Sequence, residues 1–416
     1  MVDTIALAHA PQRRWTFSYQ KFLDGFLWAF IALGSFTFIE PAPYDLLSLA
    51  IVPLWAFGGF RIHRSIVPFF VLLGLYNVGG LISLVPWHHA PNSGIWIFYS
   101  VYLSVSALFF AIFFGERTER RMKICLDAYL ASCIFAAVLG VIGYFDLGAT
   151  AKWFAPEARA TGPFKDPNVM GSYIIFGFIY LLQLLLTGKA RRPWLVVPAA
   201  LLLLLAILLS FSRGSWGATV LATLMTTGFA YVSSEDRRVR RRIVVLFFAV
   251  VAMAALALAA ALSVEQIREM LANRAQLAQD YDAGERGRFG NQLRSIPMLI
   301  ELPNGFGPYR FNVFFGLDPH NSYISAFASY GWLGGFAFLL LVAVTTFVGF
   351  RLSLAPSPYR GPAQIVWTAL FMYFLQAVQI DIDHWRFVFL LLGALWGLEA
   401  ARLRWLRDHP AVAAPQ

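Results

Sequence analysis

Residues 193–232 read PWLVVPAALLLLLAILLSFSRGSWGATVLATLMTTGFAYV and contain two apolar runs, with a single charged residue, Arg213, at the turn between them. A hydrocarbon core of ~30 Å requires about 20 predominantly apolar residues in helical form. A helix also satisfies its own backbone hydrogen bonds, for which lipid offers no partners. This stretch therefore predicts two membrane-spanning helices that form a tight hairpin.

The same apolar pattern recurs along the chain. Hydrophobic residues make up 59% of the sequence and charged residues 13%, whereas a soluble domain carries about 25% charged residues. The sequence predicts an all-α polytopic integral membrane protein with about 12 transmembrane helices. The predicted spans are 22–38, 44–60, 66–85, 94–114, 124–147, 168–187, 193–211, 214–232, 243–263, 321–349, 363–380 and 385–401.

The distribution of Lys and Arg predicts the orientation of these spans. With the N-terminus in the cytoplasm, the inner segments hold twice as many Lys and Arg residues as the outer segments, in agreement with the positive-inside preference. The net charge of +10 is therefore a topology signal, and no nucleic-acid partner is expected. Since residues 1–21 contain no apolar stretch, we expect no cleavable signal peptide and a retained first span.

This topology divides the chain into five predicted regions. The long polar loop is expected to contain short helices, one amphipathic over residues 264–281 and one from about Arg288 to Glu301. The regions are a cytoplasmic N-terminus (1–21), the first nine spans (22–263), a large outer loop (264–320), the last three spans (321–401) and a cytoplasmic tail (402–416).

Arginines on the outer side contradict the topological preference and need another explanation. Arg213 lies at the outer end of two predicted helices, where a guanidinium can bind a phosphate through two parallel hydrogen bonds. The alternative is a turn with a snorkelling side chain. Arg286 and Arg288 flank a glycine just before a predicted helix, and helix N-termini favour anions. The alternative for these two is a solvated loop charge.

Three further outer elements carry polar side chains. His320 lies where the large loop re-enters the membrane and can accept a proton near neutral pH; a structural histidine is the alternative. Lys165 and Asn168 precede a span and are candidates for contact with a polar headgroup or a sugar, with a helix N-cap as the alternative for Asn168. The turn from Asp381 to Arg386 is either functional or a charged hairpin.

The sequence contains no recognised cofactor motif. It has no nucleotide-binding glycine loop, no His-Glu-x-x-His and no Gly-x-Ser-x-Gly. Cys125 and Cys133 lie in one apolar segment and form neither a disulfide framework nor a metal site. The pair His88-His89 is a weak metal signal. We therefore expect no cofactor and no metal, so that the energy for any reaction comes from the substrate or a gradient.

The order of the motifs resembles that of a known family. Residues 162–168 read Gly-x-x-x-x-Pro-Asn, and residues 210–214 read Ser-x-Ser-Arg-Gly. An arginine-bearing loop follows and ends in Gly-x-Gly (305–307), before Pro-His-Asn (319–321) and a glycine-rich span. This arrangement resembles the O-antigen ligase and polymerase superfamily of bacterial envelope glycosyltransferases.

The resemblance implies a polytopic transferase of the bacterial inner membrane, with its large loop and active site facing the periplasm. It also implies a donor, a glycan on undecaprenyl pyrophosphate, and an inverting reaction that needs neither metal nor nucleotide sugar. In ligases the acceptor is lipid A–core, and this reading is the favoured one. In an O-antigen or exopolysaccharide polymerase, the alternative, the acceptor is another lipid-linked repeat unit.

The resemblance also implies roles for individual residues. Arg213 and Arg288 would bind the pyrophosphate and stabilise it as it leaves, and His320 would act as general base on the acceptor hydroxyl or position it. Arg286 is the alternative to Arg288, because either loop arginine matches the single one of the family. The remaining predicted substrate-binding residues are Lys165, Asn168 and Asn321.

A secondary transporter or flippase is the rival from another class. An even number of spans with both termini in the cytoplasm suits that class. Transporters, however, bind charged substrates near the bilayer midplane and often consist of related halves. In this sequence the charges cluster at the outer ends of the spans, and the halves are unrelated.

Overall fold

The structure is a computed structural model that describes residues 19–56, 62–149, 151–156, 158–265, 268–269, 284–285 and 287–410. Across these residues the regular structure is helical, and no strand occurs. The prediction of an all-α fold is confirmed for this part of the chain. Arg286 and most of the predicted amphipathic helix over 264–281 lie outside the described residues.

Long helices joined by short connections form most of the described chain. We label them in chain order. The helices are α1 (Tyr19–Ala32), α2 (Pro43–Ala56), α3 (Val67–Leu84), α4 (Ser93–Gly115), α5 (Thr118–Tyr144), α6 (Pro167–Leu186), α7 (Pro193–Leu209), α8 (Arg213–Ser233), α9 (Arg237–Leu262), α10 (Arg288–Glu301), α11 (Phe311–Phe315), α12 (Ser322–Leu354), α13 (Arg360–Gln376) and α14 (Arg386–Asp408).

Each predicted span coincides with one of these helices. In the described part of the chain, 6 helical segments are long and apolar enough to cross a membrane by length and composition, and α7 is a shorter apolar helix. Helices α1 and α2 have 14 residues each, which at ~1.5 Å per residue extend over roughly 21 Å, less than a hydrocarbon core. The structure therefore fits a helical membrane protein, and the number of about 12 spans stays a prediction.

Small residues bring the central helices close together. A Cβ atom at Gly79 of α3 would lie 2.5 Å from the backbone nitrogen of Gly334 in α12. On α14, a Cβ atom at Gly393 would lie 2.4 Å from the carbonyl oxygen of Ala107 in α4. Membrane helices associate through such close backbone approach, since lipid supplies no hydrophobic drive between them. In each of these two helix pairs, the backbones therefore lie in close contact.

The described part of the loop before α12 is attached to α12 through a break in that helix. Gly331 has φ 63° and ψ −169°, which a residue with a side chain rarely adopts, and it divides α12 into two helical parts. The Trp332 backbone N–H donates to the Pro303 carbonyl at 2.8 Å. The N–H groups of Phe306 and Gly307 donate to the Ala328 carbonyl at 2.8 and 3.1 Å. The Gly-x-Gly motif thus fixes the loop against the first part of α12.

Candidate active site

A cleft of about 390 Å³ lies where α6, α8 and α10 begin, next to the residues that precede α12 and follow α13. Asn168, Arg213, Arg288 and His320 all line it. These residues are separated by up to about 150 positions in the sequence, and the fold brings them to one place. The three predicted catalytic residues therefore share one cleft, together with one predicted substrate-binding residue.

Helix N-termini converge on this cleft. Arg213 is the first residue of α8 and Arg288 the first residue of α10, while Asn168 belongs to the first turn of α6. His320 directly precedes Asn321, the N-cap of α12. The N-terminus of a helix carries a partial positive charge and unpaired N–H groups. The guanidinium groups that line the cleft and these N-termini suit it to an anion such as a phosphate group.

The turn between α7 and α8 places Arg213 at the cleft. Phe211 has a left-handed φ of 50°, which reverses the chain within two residues. The Ser212 hydroxyl caps α8 by accepting a hydrogen bond from the Ser215 N–H at 3.3 Å. Both serines are buried. The Ser-x-Ser-Arg-Gly motif therefore contains the N-cap of α8, and this cap fixes the position of Arg213 as the first residue of the helix.

Arg159 holds this turn against the start of α6. Its Nε donates to the Ser210 carbonyl at 3.0 Å, and one terminal nitrogen donates to the Phe211 carbonyl at 3.4 Å and to Asn168 Oδ1 at 3.1 Å. Arg159 also lines the cleft. Arg159 is not among the site residues that the sequence predicts. Its position just before the Gly162–Asn168 motif is the sequence feature that could have identified it as a site residue.

Glutamines at the end of α13 form the opposite wall of the cleft. The Gln379 carbonyl accepts a hydrogen bond from Arg288 at 3.2 Å. Gln376 donates to the Gly214 carbonyl at 3.1 Å and accepts from the Ser172 hydroxyl at 2.9 Å. Gln376 and Gln379 were not predicted, although glutamines inside a mostly apolar span were a usable signal, because unpaired polar groups are costly in lipid.

His320 is fixed by a carboxylate from the turn between α13 and α14. The backbone N–H of His320 donates to Asp381 Oδ2 at 3.0 Å, and the N–H of Asn321 donates to Oδ1 at 2.9 Å. The His320 Nδ1 atom lies 3.8 Å from the same Oδ2, and its side chain is 46% exposed. His320 has a φ of 45°. Positive φ values are uncommon for residues other than glycine, and those that occur cluster at functional sites.

The surroundings of Asp381 act on the pKa of its carboxyl group in opposite directions. Burial and the neighbouring carboxylate of Asp383 raise the pKa of Asp381 well above its ordinary value, while the two backbone N–H donors lower it by a smaller amount. A carboxylate beside an imidazole orients the ring and favours its protonated form. Asp381 is therefore the residue that can control His320.

Two predicted substrate-binding residues lie outside the cleft lining. Asn321 is buried, and its Oδ1 accepts hydrogen bonds from the N–H groups of Tyr323 and Ile324 at 3.0 and 3.1 Å. In this structure Asn321 acts as the N-cap of α12. Lys165 forms an ion pair with Glu40 at 2.9 Å and lines a neighbouring cavity instead. Arg286 lies outside the described residues.

Potential metal ligands were also compared in space. Among the described residues, no three His, Cys, Asp or Glu side chains gather in a way that could hold a metal ion. The rings of His88 and His89 lie edge to face with centroids 4.8 Å apart. Cys125 and Cys133 are both buried free thiols.

The helical bundle is that of a multi-pass helical membrane protein. Its cleft is a cationic site at converging helix N-termini. A family model described as O-antigen ligase matches residues 198–339. The matched segment includes Arg213, Arg288 and His320, and the resemblance to the O-antigen ligase and polymerase superfamily is confirmed over it. No curated protein matches the chain.

Proposed function

We propose that the protein transfers a glycan from undecaprenyl pyrophosphate to lipid A–core at the periplasmic face of the bacterial inner membrane. The observation that carries this proposal is the presence of Arg213, Arg288 and His320 in one cleft at converging helix N-termini. Such a site supplies both functions that the reaction needs, namely stabilisation of a leaving pyrophosphate and removal of a proton from an acceptor. The family match over residues 198–339 supports the general reaction class.

Arg213 and Arg288 bind the pyrophosphate of the donor in this proposal. As the bond between the anomeric carbon and the pyrophosphate oxygen breaks, negative charge grows on the leaving group. Guanidinium groups and helix N-termini that are already in place stabilise this charge without reorganisation. Loss of one such contact costs ~2.7–4 kcal/mol of barrier in known cases, so two arginines account for much of the catalysis.

His320 accepts the proton of the acceptor hydroxyl in the same step. The hydroxyl oxygen forms a bond to the anomeric carbon on the face opposite the pyrophosphate, which inverts the configuration. Undecaprenyl pyrophosphate leaves, and the proton remains on the imidazole until solvent removes it. Asp381 supports the positive charge on the ring from the Nδ1 side, where Oδ2 lies 3.8 Å away.

An apolar groove of about 500 Å³ supports a donor with a lipid tail. It lies between α10 and α12, on both sides of the break at Gly331, and its lining includes Leu299, Tyr323, Phe327, Trp332 and Phe336. The first turn of α12, which carries Tyr323, directly follows His320. Helix α10 begins with Arg288. A polyprenyl chain in this groove would therefore leave its pyrophosphate at the cleft.

The polymerase reading uses the same cleft with a second lipid-linked repeat unit as acceptor. The transporter reading is less well supported, because the charged residues of the cleft lie at helix ends and not halfway along the helices. A purified-protein assay separates these candidates. One reaction contains the undecaprenyl-pyrophosphate-linked glycan together with lipid A–core. The other contains the lipid-linked glycan alone.

We expect glycan transfer to lipid A–core by the wild-type protein. Elongation of the donor without core supports a polymerase. Uptake into proteoliposomes without any product overturns the transferase proposal. In cells, a deletion strain that accumulates lipid-linked polymer beside unmodified core supports the ligase, whereas short unpolymerised repeats contradict it.

A further inference from the structure

A second cavity, lined by both charged and apolar side chains, adjoins the cleft and shares Asp166 with it. Its volume is about 160 Å³, roughly the liquid volume of five waters at ~30 Å³ each, and thus about the size of one sugar ring. Three chain segments line it: the connection from α1 to α2, the start of α6, and the turn into α14.

The side chains of this cavity suit a hydroxyl-rich ligand. Glu40 and Lys165 form an ion pair at 2.9 Å at the opening, and Arg386 and Trp385 contribute to the wall. A sugar hydroxyl both donates and accepts hydrogen bonds. Carboxylates accept from it and cations donate to it, in hydrogen bonds that are stronger than those between neutral groups. Trp385 is buried and adds apolar surface to the wall.

The wall of the cavity is held in place by buried contacts. Arg386 donates two hydrogen bonds to Asp45, both at 2.7 Å, and both side chains are largely buried. The ring of His384, another wall residue, lies against that of Trp96 with centroids 3.9 Å apart. In contrast, Glu40 and Lys165 have side-chain exposures of 52% and 54%. An ion pair this exposed contributes little to stability, so stability does not explain its position.

The same two segments line the cavity and the cleft. The turn after α13 contributes Gln379 to the cleft and His384 to the cavity. The first turn of α6 contributes Asn168 to the cleft, and the segment just before α6 contributes Lys165 to the cavity. A saccharide chain that passes through the reacting position at the cleft therefore has its adjoining sugar within reach of this cavity.

We infer that the cavity between Glu40, Lys165 and Trp385 is a sugar subsite, which binds the saccharide ring next to the bond that forms. This inference rests on the proposed transferase function. Both the donor glycan and the acceptor core present such a ring, and the chemistry of recognition is the same for both.

The test is steady-state transfer kinetics with an undecaprenyl-pyrophosphate-linked glycan and lipid A–core, each varied while the other is saturating. The variants are Glu40→Gln and Lys165→Met, and the charge-swapped double variant E40K/K165E. The matched control is Lys123→Met, which removes an exposed ion pair with Asp127 at 2.6 Å on α5.

We expect the KM of one substrate to rise about tenfold or more in each single variant, with kcat within about twofold, since a hydrogen bond to a charged group is lost. A rise in acceptor KM assigns the subsite to the core sugar, and a rise in donor KM assigns it to the donor glycan. The double variant restores an ion pair but not the ligand contacts, so its KM stays raised. Lys123→Met matches the wild type.

Unchanged KM values in both single variants, with active wild-type protein, overturn the subsite alone. Recovery of the wild-type KM in the double variant overturns it too, because that result assigns the pair a purely structural role. Wild-type protein that transfers no glycan overturns the proposed function and the subsite together.

Discussion

The His320 imidazole and the Asp381 carboxylate face each other, with Nδ1 3.8 Å from Oδ2, and the same oxygen accepts the His320 backbone N–H at 3.0 Å. A single carboxylate therefore fixes the main chain of the residue that we propose as general base and also lies close to its ring. Because Asp381 comes from the turn between α13 and α14, the geometry of the base depends on helices beyond the loop that contains it.

His320→Ala is expected to lower kcat for glycan transfer about 10²–10⁴-fold, the usual contribution of a general base. The donor is bound mainly by the arginines, so its Kd stays within about threefold of the wild-type value. Single-turnover transfer and binding of the lipid-linked donor measure the two quantities. Parallel losses of binding and transfer would instead indicate that His320 holds the donor.

The pH dependence of stability follows from the raised pKa of Asp381. The folded protein holds this proton at pH values where the unfolded chain, with an ordinary pKa of ~3.9, has lost it. The resulting stabilisation is fully present below that value and is lost as pH rises through the folded-state pKa. We expect the melting temperature in detergent to fall over this range in wild type, and to fall less in Asp381→Asn.

Asp408→Asn is the control for this measurement, because Asp408 is 67% exposed at the end of α14. Its pH profile should follow that of wild type. Transfer activity should change in the opposite direction to stability, since the ionised carboxylate is the form that supports a protonated His320. Identical melting profiles for Asp381→Asn and wild type would contradict the role of Asp381.

Arg213→Ala and Arg288→Ala are each expected to reduce kcat about 10²–10³-fold through the lost stabilisation of pyrophosphate. Arg213→Lys keeps the positive charge but not the planar guanidinium with its two parallel donors. Its kcat should lie between those of Arg213→Ala and the wild type. Arg294→Ala is the control, because Arg294 lies on α10 with Arg288 but does not line the cleft. Equal activity of Arg288→Ala and Arg294→Ala would remove Arg288 from the site.

The predicted site residues that the fold brings into one cleft share a simple property. Arg213, Arg288, His320 and Asn168 each lie at or beside a helix N-terminus. Hydropathy locates the ends of apolar helices, and charge bias assigns those ends to one side. Two local signals were therefore sufficient to place these residues together.

The residues that sequence reasoning missed depend on which helices are neighbours. Gln376 and Arg159 act through contacts with segments more than 40 residues away. The same holds for Asp381, whose turn the sequence left open between a functional element and a charged hairpin. Packing of close-approach glycines selects those neighbours, and no local pattern encodes the selection. Asn321 illustrates the converse, because a strong local role as helix cap competes with any role in the cleft.

Arg159→Ala is expected to lower both stability and kcat. The substitution leaves the buried Ser210 carbonyl without its guanidinium donor, which costs about 1–3 kcal/mol. It also releases the turn that positions Arg213 and the amide of Asn168, so kcat should fall more than donor affinity does. Thermal melting and transfer kinetics on the same preparation test this. A fall in donor affinity alone would make Arg159 a substrate-binding residue and not a positioning residue.

Gly79→Ala tests whether close packing of α3 on α12 supports the site. The added Cβ atom would lie 2.5 Å from the Gly334 backbone nitrogen and 2.6 Å from the Tyr330 carbonyl oxygen. Backbone atoms do not move aside by a rotamer change, so the helices must separate, at a cost of about 1–3 kcal/mol. Gly74→Ala on the same helix meets no atom within 4 Å and should melt like wild type. Because α12 begins directly after His320 and Asn321, Gly79→Ala should also reduce glycan transfer. Equal melting temperatures for Gly79→Ala and Gly74→Ala would show that this contact does not hold α3 against α12.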